Sequence, residues 1–345
     1  MIMKTLSIVI LLGLWLTPAQ AGQHNAGKAR VTVADTPAAP ADNLPPMLAV
    51  VRQAILAEAA GAPIDWCQRN SEEGETVYEV DITRNGVERS FAIGLDGGLR
   101  SRQYFLAELP ATVQRTIAAL KSRGELGNIY WCNEAGDLVY EVEIGKGAGK
   151  RFYTIASDGT HQATQFNLAE LPAAVQKTIR EQAGADTIAS VSRDETEVGD
   201  IFDAVLLRDT QRRIVSVNAA GVVVATQIIL LQAPAAVQDT ITKTAGAAKI
   251  IYIGECEEEG AKVYAVITMQ GLQRGEFVVD AEGKLLARVI AFAALPESAQ
   301  KYLREQAAGA RIARIEQLPD GTFSADLDRN GKKQVLTFTA AGAPR

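Results

Sequence analysis

Leu171-Pro172-Ala173-Ala174-Val175-Gln176 decides how this chain is read, because it returns. Leu109-Pro110-Ala111-Thr112-Val113-Gln114 stands 62 residues earlier, and Ala233-Pro234-Ala235-Ala236-Val237-Gln238 stands 62 later. A further step of 62 reaches Leu295-Pro296-Glu297-Ser298-Ala299-Gln300. One step back gives Met47-Leu48-Ala49-Val50-Val51-Arg52, where the prolines have moved to Pro45 and Pro46. A fixed period of this length is the mark of a tandem array of one supersecondary unit.

Other landmarks keep the register. Ile55, Ile117, Ile179, Ile241 and Leu303 are 62 apart, as are Tyr78, Tyr140, Phe202 and Tyr264, and Gly97, Gly159, Gly221 and Gly283. In the last copy Phe323 and Gly342 come three residues early, which one shortened loop explains.

Each copy reads as a helix followed by strands. Pro172 suits a first helical position, where its missing N–H costs nothing. Leu171, Val175 and Ile179 then recur every four residues and form one apolar face. The spacing predicts five helices starting near 48, 110, 172, 234 and 296. Tyr78-Glu79-Val80-Asp81-Ile82 and Tyr140-Glu141-Val142-Glu143-Ile144 alternate with period two, so one face of each strand is expected in a core and the other in water. On that reading Glu79, Asp81, Glu141 and Glu143 are solvated. Asn85-Gly86 marks a two-residue hairpin, which sets Val80 beside Phe91 and Tyr78 beside Ile93. Asp96-Gly97, Asp158-Gly159 and Glu282-Gly283 mark the next turn.

The expected fold is therefore α+β: five tandem α-β-β-β-β units, each a helix packed on its own four-stranded antiparallel sheet. The boundaries are 44–105, 106–167, 168–229, 230–291 and 292–345, the last unit truncated before its final strand.

The N-terminus carries Lys4, an apolar run from Leu6 to Leu16, and Ala19-Gln20-Ala21. That order is a secretory leader over 1–21, and eleven apolar residues are too few to span a bilayer. Residues 22–43 are rich in Ala, Pro and Gly without apolar period and read as a disordered linker. The mature chain is expected in the periplasm or outside the cell. Formal charge is -6, and loss of Lys4 with the leader makes it -7. Such a chain is poorly suited to phosphate backbones, so no nucleic-acid partner is expected.

Chemistry is sparse. The chain has two histidines, His24 and His161, and three cysteines, Cys67, Cys132 and Cys256. Nucleophilic catalysis usually needs a base, most often His, and a structural zinc needs about four His or Cys ligands. No catalytic residue, metal or cofactor is expected, and the chain is read as not an enzyme. Asp326-Leu327-Asp328-Arg329-Asn330-Gly331 resembles half a calcium loop, but Thr337 stands where the bidentate Glu belongs, and the stretch aligns with the Asn85-Gly86 hairpin. The pairing of the cysteines is left open. Arg89, Arg151 and Arg213 recur at the start of the third strand, expected to lay their stems on the core and their heads in water; the alternative is a row for an anionic partner.

The Leu-Pro-Ala-Ala-Val-Gln-Lys-Thr-Ile helix opening, the Tyr-Glu-Val-Glu-Ile strand and the Asp-Gly turn resemble the PepSY-like, beta-lactamase-inhibitor-like repeat family over about 44–345. The resemblance implies a helix on a four-stranded antiparallel sheet, repeated in exported bacterial proteins with inhibitory or protein-binding roles. It supplies no inhibitory residue. Trp66, Tyr104, Phe105, Tyr130 and Trp131 gather in the first two copies and are the candidate residues for binding a protein partner of unknown identity. The alternative is a structural or spacer protein of the envelope.

Overall fold

The computed structural model describes residues 44–345 apart from 73–74, 135–136, 197–198, 210, 259, 271–272 and 330–331. The expected leader and linker lie outside the described residues. Five helices occur among them: α1 (Ala49–Ala59), α2 (Ala111–Leu120), α3 (Ala173–Ala183), α4 (Ala235–Ala245) and α5 (Glu297–Ala307). Each begins one residue after the position the spacing predicts. The prolines stand one place earlier than expected, as N-cap residues with extended ψ. Gly184 and Gly246 end α3 and α4 with φ of +54° and +57°, where a side chain would be strained.

The described chain forms two compact units, 44–223 and 224–345. In the first, α1 precedes β1 (Ile64–Glu72), β2 (Glu75–Arg84), β3 (Val87–Gly94) and β4 (Leu99–Tyr104). After α2 come β5 (Leu126–Glu134), β6 (Asp137–Ile144), β7 (Arg151–Ala156) and β8 (His161–Phe166). After α3 come β9 (Thr187–Thr196), β10 (Gly199–Arg208) and β11 (Gln211–Asn218). The second unit takes up β12 (Val223–Gln227), then α4 with β13 (Lys249–Glu258), β14 (Ala261–Gln270), β15 (Gln273–Asp280) and β16 (Leu285–Val289). It ends with α5, β17 (Arg311–Gln317), β18 (Phe323–Arg329) and β19 (Lys332–Phe338).

The expected fold class is wrong in its essential feature. The protein does not have five separate four-stranded sheets: its nineteen strands belong to one antiparallel sheet that dominates the structure. The strand after each interhelical turn is hydrogen-bonded to the strand beyond the next helix, as β4 is to β5, β8 to β9, β12 to β13 and β16 to β17. The reason is the cost of edges. A four-stranded sheet leaves two rows of unpaired backbone groups, and pairing with the next sheet removes them. Period-two alternation assigns faces and says nothing of neighbours.

Each helix covers one face of the sheet. Val51, Ile55 and Ala59 of α1 pack on Tyr78, Val80, Ile82, Phe91 and Ile93. Val113 and Ile117 of α2 pack on Tyr140, Val142, Ile144, Tyr153 and Ile155. Val175 and Ile179 meet Phe202, Ala204 and Leu206; Val237 and Ile241 meet Tyr264, Val266 and Phe277. The Asn85-Gly86 hairpin has the positive φ at both residues that its turn requires, and its register pairs Tyr78 with Ile93 and Val80 with Phe91.

The turn glycines dock the sheet onto the helices. A Cβ on Gly159 would lie 2.8 Å from the Thr112 backbone, and one on Gly221 would lie 2.9 Å from that of Ala174. Thr116 and Thr178 seal the same contacts by donating to the Gly159 and Gly221 carbonyls at 2.5 and 2.6 Å.

Candidate partner-binding surface

Among the described residues the opposite face of the sheet carries no helix. On it β6 presents Val139, Glu141 and Glu143, and the register sets Tyr130 and Thr154 on either side of Glu141. Glu141 is fully buried and Glu143 nearly so, whereas Glu79 and Asp81 are half-buried. The expected wet face is thus overturned at β6. A strand inside a wide sheet has covered flanks on both sides, and Tyr130, Cys132 and Thr154 enclose the carboxylate. Glu143 is paired with Lys150 at 2.6 Å. Asp81 accepts from Ser90 at 2.6 Å, and Glu79 from the Asn70 amide at 2.8 Å.

The polar row continues on this face through Ser192 and Asp194 of β9, Asp203 of β10 and Ser216 of β11, all buried. The register sets Ser192, Asp203 and Ser216 side by side. Burial pushes the Asp203 carboxyl up to about 6, against hydrogen bonds with Ser216 and Asp194 and the charge of Arg212. In the second unit the helix-free face carries an ion-pair chain. Glu276 receives Arg274 at 2.8 Å and Arg314 at 3.1 Å, and Arg314 reaches Glu316 at 2.7 Å. Alternation alone did not flag these groups, since a buried carboxylate and a wet one look the same in a period-two string.

The five aromatic candidates do not form one patch. Tyr104 and Trp131 point to the helix side and pack on the α2 core, Tyr104 meeting Tyr140 edge-on at 6.1 Å. Phe105 is 39% exposed under the Arg89 guanidinium, 4.7 Å from its ring centroid. Tyr130 lies on the helix-free face and is 5% exposed; burial first, then the charges of Asp81, Glu143 and Glu79, hold its phenol above the usual range. Trp66 also lies on the helix-free face, opposite Asp81, and is 37% exposed. Two of the five, Trp66 and Phe105, therefore offer large exposed surface.

The recurring arginines are held by carboxylates. Arg89 pairs with Glu108 at 2.6 Å and Arg151 with Glu170 at 2.5 Å, and each covers a phenylalanine, Phe105 and Phe166. Arg213 turns instead to Asp186 at 3.1 Å. Heads committed to carboxylates are not free for an anionic partner. His161 opens β8, with Nε2 3.0 Å from the Thr164 hydroxyl. Asp326, Leu327, Asp328 and Arg329 lie in β18, a strand rather than a metal loop. Cys67, Cys132 and Cys256 form no disulfide among the described residues, and no group of three or more His, Cys, Asp or Glu suited to a metal occurs among them. No helix among the described residues is long and apolar enough to cross a membrane.

No family model matches the chain, and neither does any curated protein. Parts of it are similar to solved structures. One is a protein assigned to the periplasm of Bacteroides eggerthii, at 19% identity over 35% of this chain and 89% of that one, TM-score 0.28. Another is a DUF2874 family protein of Bacteroides ovatus, at 12% identity over 35% and 87%, TM-score 0.28. A third is a BLIP-like protein of Bacteroides fragilis, at 18% identity over 33% and 81%, TM-score 0.25. At such TM-scores these likenesses assign neither fold nor activity to this chain.

Proposed function

We propose that this chain is an exported, periplasmic, non-enzymatic module that binds another protein, with its contact surface at the β1 end of the first unit. The observation that carries the reading is Trp66, a large aromatic left 37% exposed on a helix-free face, beside the half-buried carboxylates Glu79 and Asp81. Exposed aromatics beside polar groups are the usual anchors of protein interfaces. Export rests on the leader motif, and the lack of a catalytic role rests on the scarcity of histidine. An inhibitory role and membership of the PepSY-like repeat family rest on the sequence resemblance alone.

The test is retention of an identified envelope protein by the immobilised mature chain, compared with Trp66→Ala and Phe105→Ala. The reading expects Trp66→Ala to weaken retention at least about tenfold, the scale of an anchor residue worth more than about 1.4 kcal/mol. Retention indifferent to both substitutions, or no specific retention, favours a spacer of the envelope.

A further inference from the structure

Among the described residues the first strand has an edge with no strand on it, where every comparable strand has one. Residues 129–132 of β5, 191–194 of β9 and 254–256 of β13 are paired along their outer edge with β4, β8 and β12. Cys67–Asn70 of β1 stand 62 residues before Ile129–Cys132, in the same register on their inner neighbour: Cys67 faces Val80 as Ile129 faces Val142. β1 pairs with β2, and no described strand pairs with its other edge. We propose that this edge, flanked by Trp66, receives an extended segment of a partner protein as one more antiparallel strand, a deepening that rests on the protein-binding reading above.

Side chains at this edge look like a socket with its lid off. Ile129, Val191 and Ile253 are buried where the outer strand is in place, while Cys67 at the same position is half-buried. Asn128 accepts from the Gln103 amide of the added strand at 3.1 Å; Trp66 stands at that position in β1 and is exposed. An added strand would cover both.

The strands that fill the equivalent slots define what fits. β4, β8 and β12 each place a small residue on the helix-free face (Ser101, Ala163, Ala225), then a glutamine two residues on (Gln103, Gln165, Gln227), while β16 has Ala287 followed by Val289. Next comes a large side chain on the core: Tyr104, Phe166 or Ile228. The partner segment is thus an extended stretch of small-x-Gln-aromatic or small-x-Gln-aliphatic type. Main-chain hydrogen bonds would hold it and the alternate side chains would select it. The chain's own residues at that spacing include Pro37 and Pro40. Prolines three apart fall on opposite sides of a strand, so one removes a ladder N–H whichever way the strand is turned. A second copy is disfavoured too: its last described strand, β19, is bridged at Phe338 by Pro344 and corresponds to β3, β7, β11 and β15, which do not pair with strands of the β1 kind.

The probe is a synthetic peptide of the β4 sequence, Leu-Arg-Ser-Arg-Gln-Tyr-Phe, added to the mature Trp131→Phe protein so that Trp66 alone reports. Saturable change in Trp66 emission and slowed amide exchange at 67–70 are expected. Peptides N-methylated at alternate residues supply the decisive readout, because an edge strand presents its N–H groups to a neighbour at every second residue. One parity should weaken binding at least about tenfold and the other less than about twofold. No saturable binding, equal loss at both parities, or protection away from β1 overturns the proposal. If Trp66→Ala still releases a captured envelope protein that leaves exchange at 67–70 unchanged, strand addition falls and the binding module stands. If Trp66→Ala alters neither, both fall.

Discussion

Tyr130 of β5 and Glu141 of β6 stand directly opposite one another on the helix-free face, and both are buried. A carboxylate enclosed in this way cannot be trimmed without consequence. Glu141→Ala empties a packed site and strips the Cys132 thiol of its acceptor, 3.8 Å away, so it should destabilise by about 1–3 kcal/mol. Glu181→Ala, at an exposed site on α3, should stay within about 0.5 kcal/mol. Denaturant midpoints of the two variants check this; equal midpoints would mean Glu141 is solvated.

Val175 is fully buried between α3 and the sheet. Val175→Asp places an unpaired charge there and should cost several kcal/mol. Thermal melting of the full mature chain is the measurement, with a normal transition counting against the helix-on-sheet packing.

Gly159 and Gly86 both have positive φ, +91° and +74°, but a Cβ on Gly86 meets nothing within 4 Å. Gly86→Ala should therefore cost about 1 kcal/mol, the backbone strain alone. Gly159→Ala adds a clash with the Thr112 backbone and should cost roughly 2–4 kcal/mol. Equal losses would remove the close approach as the reason for glycine there.

Asp203 makes stability depend on pH in the acid range. Its folded pKa lies at about 6, above the unfolded value of roughly 3.9. Between those values the folded state binds more protons than the unfolded state, so stability rises as pH falls through that window. The penalty of the buried charge is fully present above pH 6 and absent below about 4. Asp203→Asn should flatten this part of the stability profile, measured as urea midpoints from pH 4 to pH 7. A profile unchanged by the substitution would show that another group carries the proton.

Trp66 and Trp131 should differ in accessibility. In Trp131→Phe the remaining indole, 37% exposed, should be quenched by iodide more readily than the one left in Trp66→Phe, which packs on the α2 core. The reverse order would remove Trp66 from the candidate surface.

The helices were legible in the chain because Leu171, Val175 and Ile179 repeat on one face and proline marks the start. Val80 beside Phe91 was legible because Asn85-Gly86 permits only a tight hairpin. Of the candidate site, Trp66 and Phe105 carry exposed surface, while Tyr104 and Trp131 pack on the α2 core and Tyr130 is buried on the helix-free face; composition does not separate them, because aromatic side chains serve cores and interfaces alike.

By itself, then, the sequence determined the 62-residue spacing of the helices, the side each apolar stripe faces and the hairpin registers, since these depend on contacts a few residues apart. Only the tertiary structure decided that β4 seeks β5 and β8 seeks β9, joining the strands into one sheet. The same long-range pairing decided that Glu141 is buried while Trp66 at an open edge is not. Backbone hydrogen bonds between distant strands leave no periodic trace in the side chains, and burial on the second face depends on what lies on both flanks of a strand.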